Sequence, residues 1–507
     1  MRAGQGVRSR VAFGGLFRRG ECPQIVVVGG GFGGIGVGVK LKRAGIHTFT
    51  IFEKSERAGG TWWDNQYPGA EVDVPSHMYC YSFKNYDWTR THAKQAELHK
   101  YLEEVVDEYD LDPHIKFGTV VESARWDDET HTYSVRLQGG IDVKCHVLIS
   151  AVGFLNVPQY PTWPGLDSFE GPKFHTSRWE HQHDLAGKTV AVVGTGSTAT
   201  QIVPEIAPVA KRVYLFQREP GWIMPKGERD FSPEERARFR SPWRRRVERL
   251  RHFYRLEKSV WGGAPYTPGT KVNRSREQLC RDFIDRELAD HPDLRAAVTP
   301  TYPHGGKRTI FNSTFYAALK RDNVELVPRS VASVTPNGVV DADGVERPAD
   351  VLVMATGFQP ANYLAHIDVI GRNGKSIHEV WAGEPNAFLG ITVPGFPNFF
   401  MLYGPGTNGG EIITMLERQA EYAARVIKRM RREGVSAVEV KERWTSQYNR
   451  WLQSMFRGTS WTAANNYYKS PTGRIVTQWP RGPLLYGFLT KVLGRVSETA
   501  SRKARHF

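Results

Sequence analysis

Residues 24–55 read QIVVVGGGFGGIGVGVKLKRAGIHTFTIFEKS, in which an apolar run, a glycine cluster, a helix-length stretch and a second apolar run follow one another. This succession predicts a strand, a tight turn, a helix and a parallel strand. Gly29, Gly31 and Gly34 give G-x-G-x-x-G at the turn. Glycines there allow a tight bend and bring backbone N–H groups close to a pyrophosphate, which the helix N-terminus also attracts. Glu53 stands 19 positions after Gly34, at the end of the second apolar run. A carboxylate at that point accepts both ribose hydroxyls and repels a 2′-phosphate.

The same grammar returns at residues 188–220, KTVAVVGTGSTATQIVPEIAPVAKRVYLFQREP. Gly194, Gly196 and Ala199 now form G-x-G-x-x-A, and the residue 19 positions on is Arg218. The equivalent position has changed sign, and a guanidinium suits a 2′-phosphate. The pair of units therefore predicts FAD in the first and NADPH in the second. Glu219, next to Arg218, works against that preference, either by weakening phosphate binding or by pairing with Arg218 itself.

Around these units the chain falls into segments. VLISAVGF (147–154) and VLVMATGF (351–358) are apolar runs ending in Gly-Phe, and each is expected to close a sheet. Residues 223–299 turn polar, Arg-rich and helix-prone, as in RARFRSPWRRRVERLRHFYRLEK, and predict a helical insertion. After Pro397, NFFMLYG leads through the turn GPGTNGG into a helix ending near Arg432. The helix is expected to point its positive end at the flavin ring. The predicted fold is α/β, with two Rossmann-like dinucleotide-binding domains and a helical insertion. The expected divisions are a disordered basic leader (1–21), an FAD domain in two parts (22–155 and 379–507), and an NADPH domain in two parts (156–222 and 300–378) around the insertion.

Composition bounds the function. A chain of 507 residues that is 40% hydrophobic can bury large cores. Its net charge of +15 fits anionic cofactors, nucleic acid or a membrane surface. No zinc-finger spacing or aromatic RNA-binding signature accompanies that charge, so nucleic acid is not expected. Cys22, Cys80, Cys145 and Cys280 form no C-x-x-C pair, which argues against a disulfide scaffold or dithiol relay and fits a reducing cytoplasm. His181 and His183 in HQH have no third ligand in the sequence, and no metal site is predicted.

Two further strings, GGTWWDNQYPGAEVDVPSHMYCYSF (59–83) and FEGPKFHTSRWE (169–180), together with YPHGGKR (302–308), make the chain resemble the Baeyer–Villiger monooxygenases. The second string matches F-x-G-x-x-x-H-x-x-x-W, with Glu180 where that family usually has Pro or Asp. Trp179 favours this branch over related flavin monooxygenases, which tend to end the motif in Tyr or Phe.

The resemblance implies an FAD- and NADPH-dependent enzyme that inserts one oxygen atom of O2 beside a ketone carbonyl, through a C4a-peroxyflavin. It further implies that Thr61 and Trp62 lie along the flavin, that Asp73 sits at its reactive edge and that Tyr79 binds nearby. Lys307 would join Arg218 at the 2′-phosphate, and Thr195, Ser197 and Thr198 would line the pyrophosphate turn. Arg308 becomes the catalytic cation, oriented by Asp73, and His175 the linker histidine between domains.

Two other readings stay open. One is a flavin monooxygenase oxidising nitrogen or sulfur, which would use the same cofactors. The other is a non-catalytic dinucleotide-binding or membrane-surface protein. The tail PLLYGFLTKVLGRVSETASRKARHF sets basic Lys491 and Arg495 among apolar residues, as an interfacial helix would, although packing onto the domain is the stronger reading. The substrate ketone and the oligomeric state are not legible.

Overall fold

The computed structural model describes residues 20–501. The leader expected over 1–21 therefore lies almost wholly outside the described residues. Two five-stranded sheets organise the rest. The first has the order Phe399–Met401, Val147–Ser150, Ile25–Val28, Phe49–Phe52, Ile115–Lys116, and every neighbouring pair is parallel. Ile25–Val28 is buried along its whole length, as a central parallel strand covered on both faces must be. The helix Phe32–Arg43 follows it directly.

The second sheet runs Val324–Val327, Arg212–Phe216, Thr189–Val193, Val351–Met354, Lys173–His175, again with parallel pairing throughout. Thr189–Val193 is central here, and the helix Ser197–Ile206 follows it. Each sheet thus has a glycine fingerprint at the C-terminal end of its central strand, where open α/β sheets bind ligands. The strands 147–150 and 351–354, expected to close their sheets, lie one place further in. Phe399–Met401 and Lys173–His175 are the edges beyond them.

The chain returns to the first core earlier than the sequence suggests. Tyr363, Leu364, Ile367, Val369 and Ile377 are buried there, and Asp368–Ile370 pairs with Val121–Asp127 in a four-stranded side sheet. The crossing falls by residue 363, not at 379. The alternation of 121–127 with 368–370 depends on a pairing more than two hundred residues apart, which no local pattern reveals.

Between the sheets' contributions lie the helices Pro233–Phe239, Pro242–Val260, Lys271–Glu287 and Pro292–Val298. Three of the four begin with proline at the first helical turn, where its missing N–H costs nothing. Ser232 and Glu235 form a capping box on the first. Ile223–Met224, at the start of this stretch, pairs instead with Ile310–Phe311. The long helix Ile412–Glu433 packs on Phe32–Arg43 from one side and on the tail helix Pro483–Ser497 from the other.

Candidate functional site

A cavity of about 1020 Å³ runs between the two sheets' C-terminal ends and under the insertion. Gly29, Gly31, Glu53, Thr61, Trp62, Asp73, Tyr79, Ser197, Thr198, Lys307 and Arg308 all line it. The structure thus brings together residues from four separated stretches of sequence. Gly34, Gly194, Thr195, Gly196, Arg218 and His175 stand outside the lining.

At the first fingerprint the glycines answer to distances. Gly29 has φ +103°, and a Cβ on it would meet the Ala151 carbonyl oxygen at 2.7 Å. One on Gly34 would stand 1.8 Å from the Gly29 carbonyl oxygen, so the helix crosses the strand too closely for any side chain. Gly31 is the N-cap of Phe32–Arg43 and no side chain caps that end, which leaves N–H groups for an anion. Glu53 is 4% exposed; its carboxylate accepts from Gly30 N–H at 2.6 Å and Ser55 N–H at 2.8 Å. It is held at the turn and faces the cavity. These features fit the adenosine and pyrophosphate of a dinucleotide without a 2′-phosphate.

The second fingerprint repeats the arrangement. Gly194 has φ +113°, and the N-terminus of Ser197–Ile206 at Gly196 carries no side-chain cap. Space around Gly196 is open, with nothing within 4 Å of an added Cβ. Arg218 is exposed beside it. Glu219 does not pair with Arg218: its carboxylate makes an ion pair with Lys307 Nζ, whose cation also lies 5.2 Å from the Tyr302 ring centre. An anion bound at Lys307 would have to compete with Glu219, while Arg218 is left exposed.

Arg308 and Asp73 meet through Nη2 and Oδ2 at 2.5 Å. Asp73 is 9% exposed, whereas about half of the Arg308 side chain faces the open cavity. The carboxylate raises the guanidinium's affinity for its proton, against the cost of burial, so Arg308 is cationic at any working pH. The loop carrying it is tied at several points. Asn273 Nδ2 of the insertion donates to the His304 carbonyl at 2.9 Å, and Asn466 Nδ2 donates to the Gly306 carbonyl at 2.8 Å. Trp222 Nε1 donates to the Tyr302 carbonyl at 2.9 Å.

Thr61 opens the short helix Thr61–Asp64 after Gly59 and Gly60, both at positive φ. Trp62 packs edge-on against Tyr79, and its Nε1 donates to the Tyr79 hydroxyl at 3.2 Å. His175 is 1% exposed. Its Nδ1 accepts from Ser177 N–H at 3.1 Å, so Nε2 carries the proton and donates to the Gly357 carbonyl at 3.0 Å. Burial holds its pKa down at about 4, so the ring is neutral. It joins the F-x-G-x-x-x-H segment to the A-T-G-F turn. Glu180 turns onto His183 at 3.0 Å.

Several cavity residues make contacts that the sequence motifs do not reveal. The Tyr67 hydroxyl, pushed up to about 12 by burial, donates to Gln201 Oε1 at 2.9 Å, and Gln201 Nε2 donates to the Glu71 carbonyl at 3.0 Å. This chain links the second fingerprint's helix to the first unit. Lys226 and Glu71 form an ion pair of 2.7 Å, with Lys226 only 1% exposed. At the start of Ile412–Glu433 the buried Glu411 accepts from Ile413 and Thr414 N–H at 2.6 and 2.7 Å. The helix end expected to face the flavin carries its own carboxylate, which burial lifts to about 7 against the pull of Arg249.

Comparison with known proteins agrees with this geometry. A family model described as pyridine nucleotide-disulphide oxidoreductase matches residues 26–254. Among the described residues all four cysteines are unpaired, so the match is to the dinucleotide scaffold. A Baeyer–Villiger monooxygenase of Pseudomonas aeruginosa is 36% identical over 464 residues, covering 90% of this chain and 87% of the relative. One of Streptomyces coelicolor is 37% identical over 469 residues, covering 91% and 89%. A solved cyclohexanone monooxygenase from Rhodococcus sp. Phi1 bound to NADP+ superimposes with TM-score 0.84 at 29% identity, covering 95% of this chain and 99% of that one. The OTEMO structure with FAD and NADP gives 0.86 at 27% identity, covering 94% and 99%. With more than a third of its residues shared with such enzymes across nine-tenths of its length, and both dinucleotide folds in place, the chain belongs to the Baeyer–Villiger monooxygenase family.

Proposed function

We propose that this protein is an FAD-dependent, NADPH-consuming monooxygenase that inserts one atom of O2 beside a ketone carbonyl and releases an ester or lactone. The observation that carries the reading is the Asp73-paired Arg308, a permanent cation inside the cavity that both fingerprints approach. FAD, when bound, supplies the hydride acceptance from NADPH and the reaction with O2 that no side chain provides. The residues of the chain do the rest.

In this reading Gly29, Gly31 and the uncapped helix end seat the FAD pyrophosphate, Glu53 takes the ribose, and Thr61, Trp62 and Tyr79 border the ring. Gly194, Thr195, Gly196, Ser197 and Thr198 seat the NADPH pyrophosphate. Arg308 holds negative charge on the reacting oxygen and on the oxyanion formed when that oxygen adds to the carbonyl carbon. A positive charge there keeps the oxygen nucleophilic, which suits an electrophilic ketone better than a nitrogen or sulfur lone pair. Asp73 orients the guanidinium. His175 couples the two segments it bonds as the NADPH-binding unit shifts. The reaction belongs in the cytoplasm, where four unpaired cysteines stay reduced.

The test is turnover of purified enzyme with NADPH against linear, cyclic, aromatic and steroidal ketones, with thioethers and amines offered in parallel. Ketone-dependent NADPH oxidation with ester or lactone one oxygen heavier is the expected result. Oxidation of thioethers or amines with no ketone product would assign the enzyme to the other branch.

Cofactor choice gives a second expectation. The double substitution Arg218→Ala with Lys307→Ala removes both cations from the proposed 2′-phosphate site and frees Glu219. Half-saturation for NADPH in flavin reduction should rise by about tenfold or more while that for NADH stays level, a loss in the range of charge-assisted hydrogen bonds. Stopped-flow reduction with each nucleotide measures this; an unchanged NADPH preference would remove these two residues from the site.

A further inference from the structure

The insertion helix Pro242–Val260 has two unlike faces. The inner one sets His252, Leu256, Ser259 and Val260 along the cavity. On the opposite face Trp243, Leu250 and Tyr254 are 71, 60 and 67% exposed, and Trp261, directly after the last turn, is 77% exposed. Positions 243, 250, 254 and 261 recur at whole numbers of helical turns, so the four line up in one stripe. Large aromatic side chains left in water along a single line mark a contact surface.

Charge flanks the stripe on both sides. Arg244, Arg246, Arg251 and Lys258 are exposed, and Arg255, also exposed, borders the cavity. The helix has two acids, and both are already partnered: Glu248 pairs with Arg251 and His252 of the same helix, and Glu257 accepts from Leu484 N–H at 2.6 Å. Leu484 lies at the start of the tail helix Pro483–Ser497, which adds a second stripe. Its Leu484, Phe488, Val492 and Val496, spaced four apart, are 48 to 59% exposed, while Gly487 and Gly494 set its other side against Arg418 and Tyr422 of the long helix. Packing of the tail onto the domain and a bare apolar stripe on it are therefore both present.

We propose that these two helices form a docking surface for an anionic lipid bilayer, with the aromatic and aliphatic side chains in the headgroup region and the arginines on lipid phosphates. Tryptophan and tyrosine suit that boundary because each joins an apolar ring to a polar N–H or O–H. Arginines beside them match the negative surface of a cytoplasmic leaflet, and the whole chain's charge of +15 adds to the attraction. The charge also selects lipid over a second copy of the chain. A two-fold contact would set one arginine row against its twin with no free acid on the helix to separate them. Among the described residues no helix is long and apolar enough to cross a membrane, so the contact is peripheral.

The experiment is sedimentation of the full-length holoenzyme with vesicles of phosphatidylcholine alone or mixed with phosphatidylglycerol. Binding to the mixed vesicles, release by salt, and quenching of tryptophan fluorescence by brominated acyl chains are expected. The variant Trp243→Ser, Tyr254→Ser, Phe488→Ser changes only exposed side chains. Its vesicle-bound fraction should fall about tenfold or more, with ketone-dependent NADPH oxidation in vesicle-free buffer unchanged. Arg244→Gln with Arg251→Gln should abolish the preference for anionic vesicles. The proposal is overturned if the wild type stays in the supernatant, binds both vesicle types equally, or binds no better than the variants. It is overturned equally by a dimer in solution that the same serine substitutions dissociate.

Discussion

Arg308→Ala should leave a yellow protein that NADPH still reduces but that makes ester at about one-hundredth of the wild-type rate or less. The expectation follows from where the guanidinium is and what else surrounds it. The hydrogen bond and ion pair of Arg308 go to Asp73, outside both fingerprints, so cofactor loading should survive the change. Its donors face the cavity, and its charge is fixed by Asp73. Loss of one preorganised donor aimed at a developing oxyanion typically costs a factor of about 100 to 1000 in rate, or roughly 2.7 to 4 kcal/mol of barrier. The deficit should appear in kcat for ester formation and leave the rate of flavin reduction nearly untouched. Arg308→Lys should recover part of the activity, since a lysine restores the charge without the planar fork. Asp73→Asn should fall between, because it loosens the guanidinium and keeps it cationic. Ester formation at the wild-type rate in Arg308→Ala would show that the cation takes no part in oxygen transfer.

Gly34→Ala is the second large effect. One methyl group there would lie 1.8 Å from the Gly29 carbonyl oxygen, a backbone atom that can yield only if the helix Phe32–Arg43 lifts off its strand. That movement reopens the turn on which the FAD pyrophosphate is proposed to sit. Overpacking of this kind costs about 1–3 kcal/mol or more, and here it falls on the cofactor cradle. The variant should purify colourless, with a lower melting temperature that added FAD does not restore. Gly38→Ala, one turn further along, provides the control. Its methyl would meet side chains alone, the tips of Ile51 and Leu111 at 3.3 Å and the Phe49 ring edge at 3.4 Å, and it improves helix propensity, so that protein should stay yellow. If both variants retain FAD after gel filtration, the close strand–helix crossing does not govern binding.

How much of this was visible beforehand depended on the range of the interactions. The two dinucleotide units were legible because strand, glycine turn and helix lie within about thirty residues, and Gly29, Gly34 and Gly194 answer local steric demands. The change from Glu53 to Arg218 at matching positions was legible for the same reason. What Glu219 does was not: it reaches past Arg218 to Lys307, 88 residues away. Nor was the return of the chain to the first core by Tyr363, which rests on pairing of 368–370 with 121–127. Tyr67 and Gln201 sit in or beside recognisable motifs, yet their hydrogen bond needs the second unit docked on the first.

Electrostatics and exposure were the least legible. Glu411 was not singled out in the sequence; its pKa, raised to about 7, comes from burial and stands against the lowering pull of the insertion's Arg249. That carboxylate sits at the helix end whose positive pole was expected to favour negative charge on the flavin, and its protonation sets how much of that field survives. The stripe on Pro242–Val260 was hidden for a related reason. Apolar and aromatic residues occur all round that helix, and only the cavity shows that His252, Leu256 and Val260 face inward and the Trp243 line outward.

The central claim, that the chain places one oxygen atom from O2 beside a ketone carbonyl with Arg308 as the cation that permits it, is tested most directly by isotope. Purified holoenzyme turned over with NADPH, a ketone it accepts and heavy-oxygen-labelled O2 should give an ester or lactone with one heavy atom in the ring or chain position and none in the carbonyl. Arg308→Ala, reduced by NADPH at the normal rate, should give almost none. Product whose added oxygen comes from water, or labelled ester formed equally well by the alanine variant, would contradict the account.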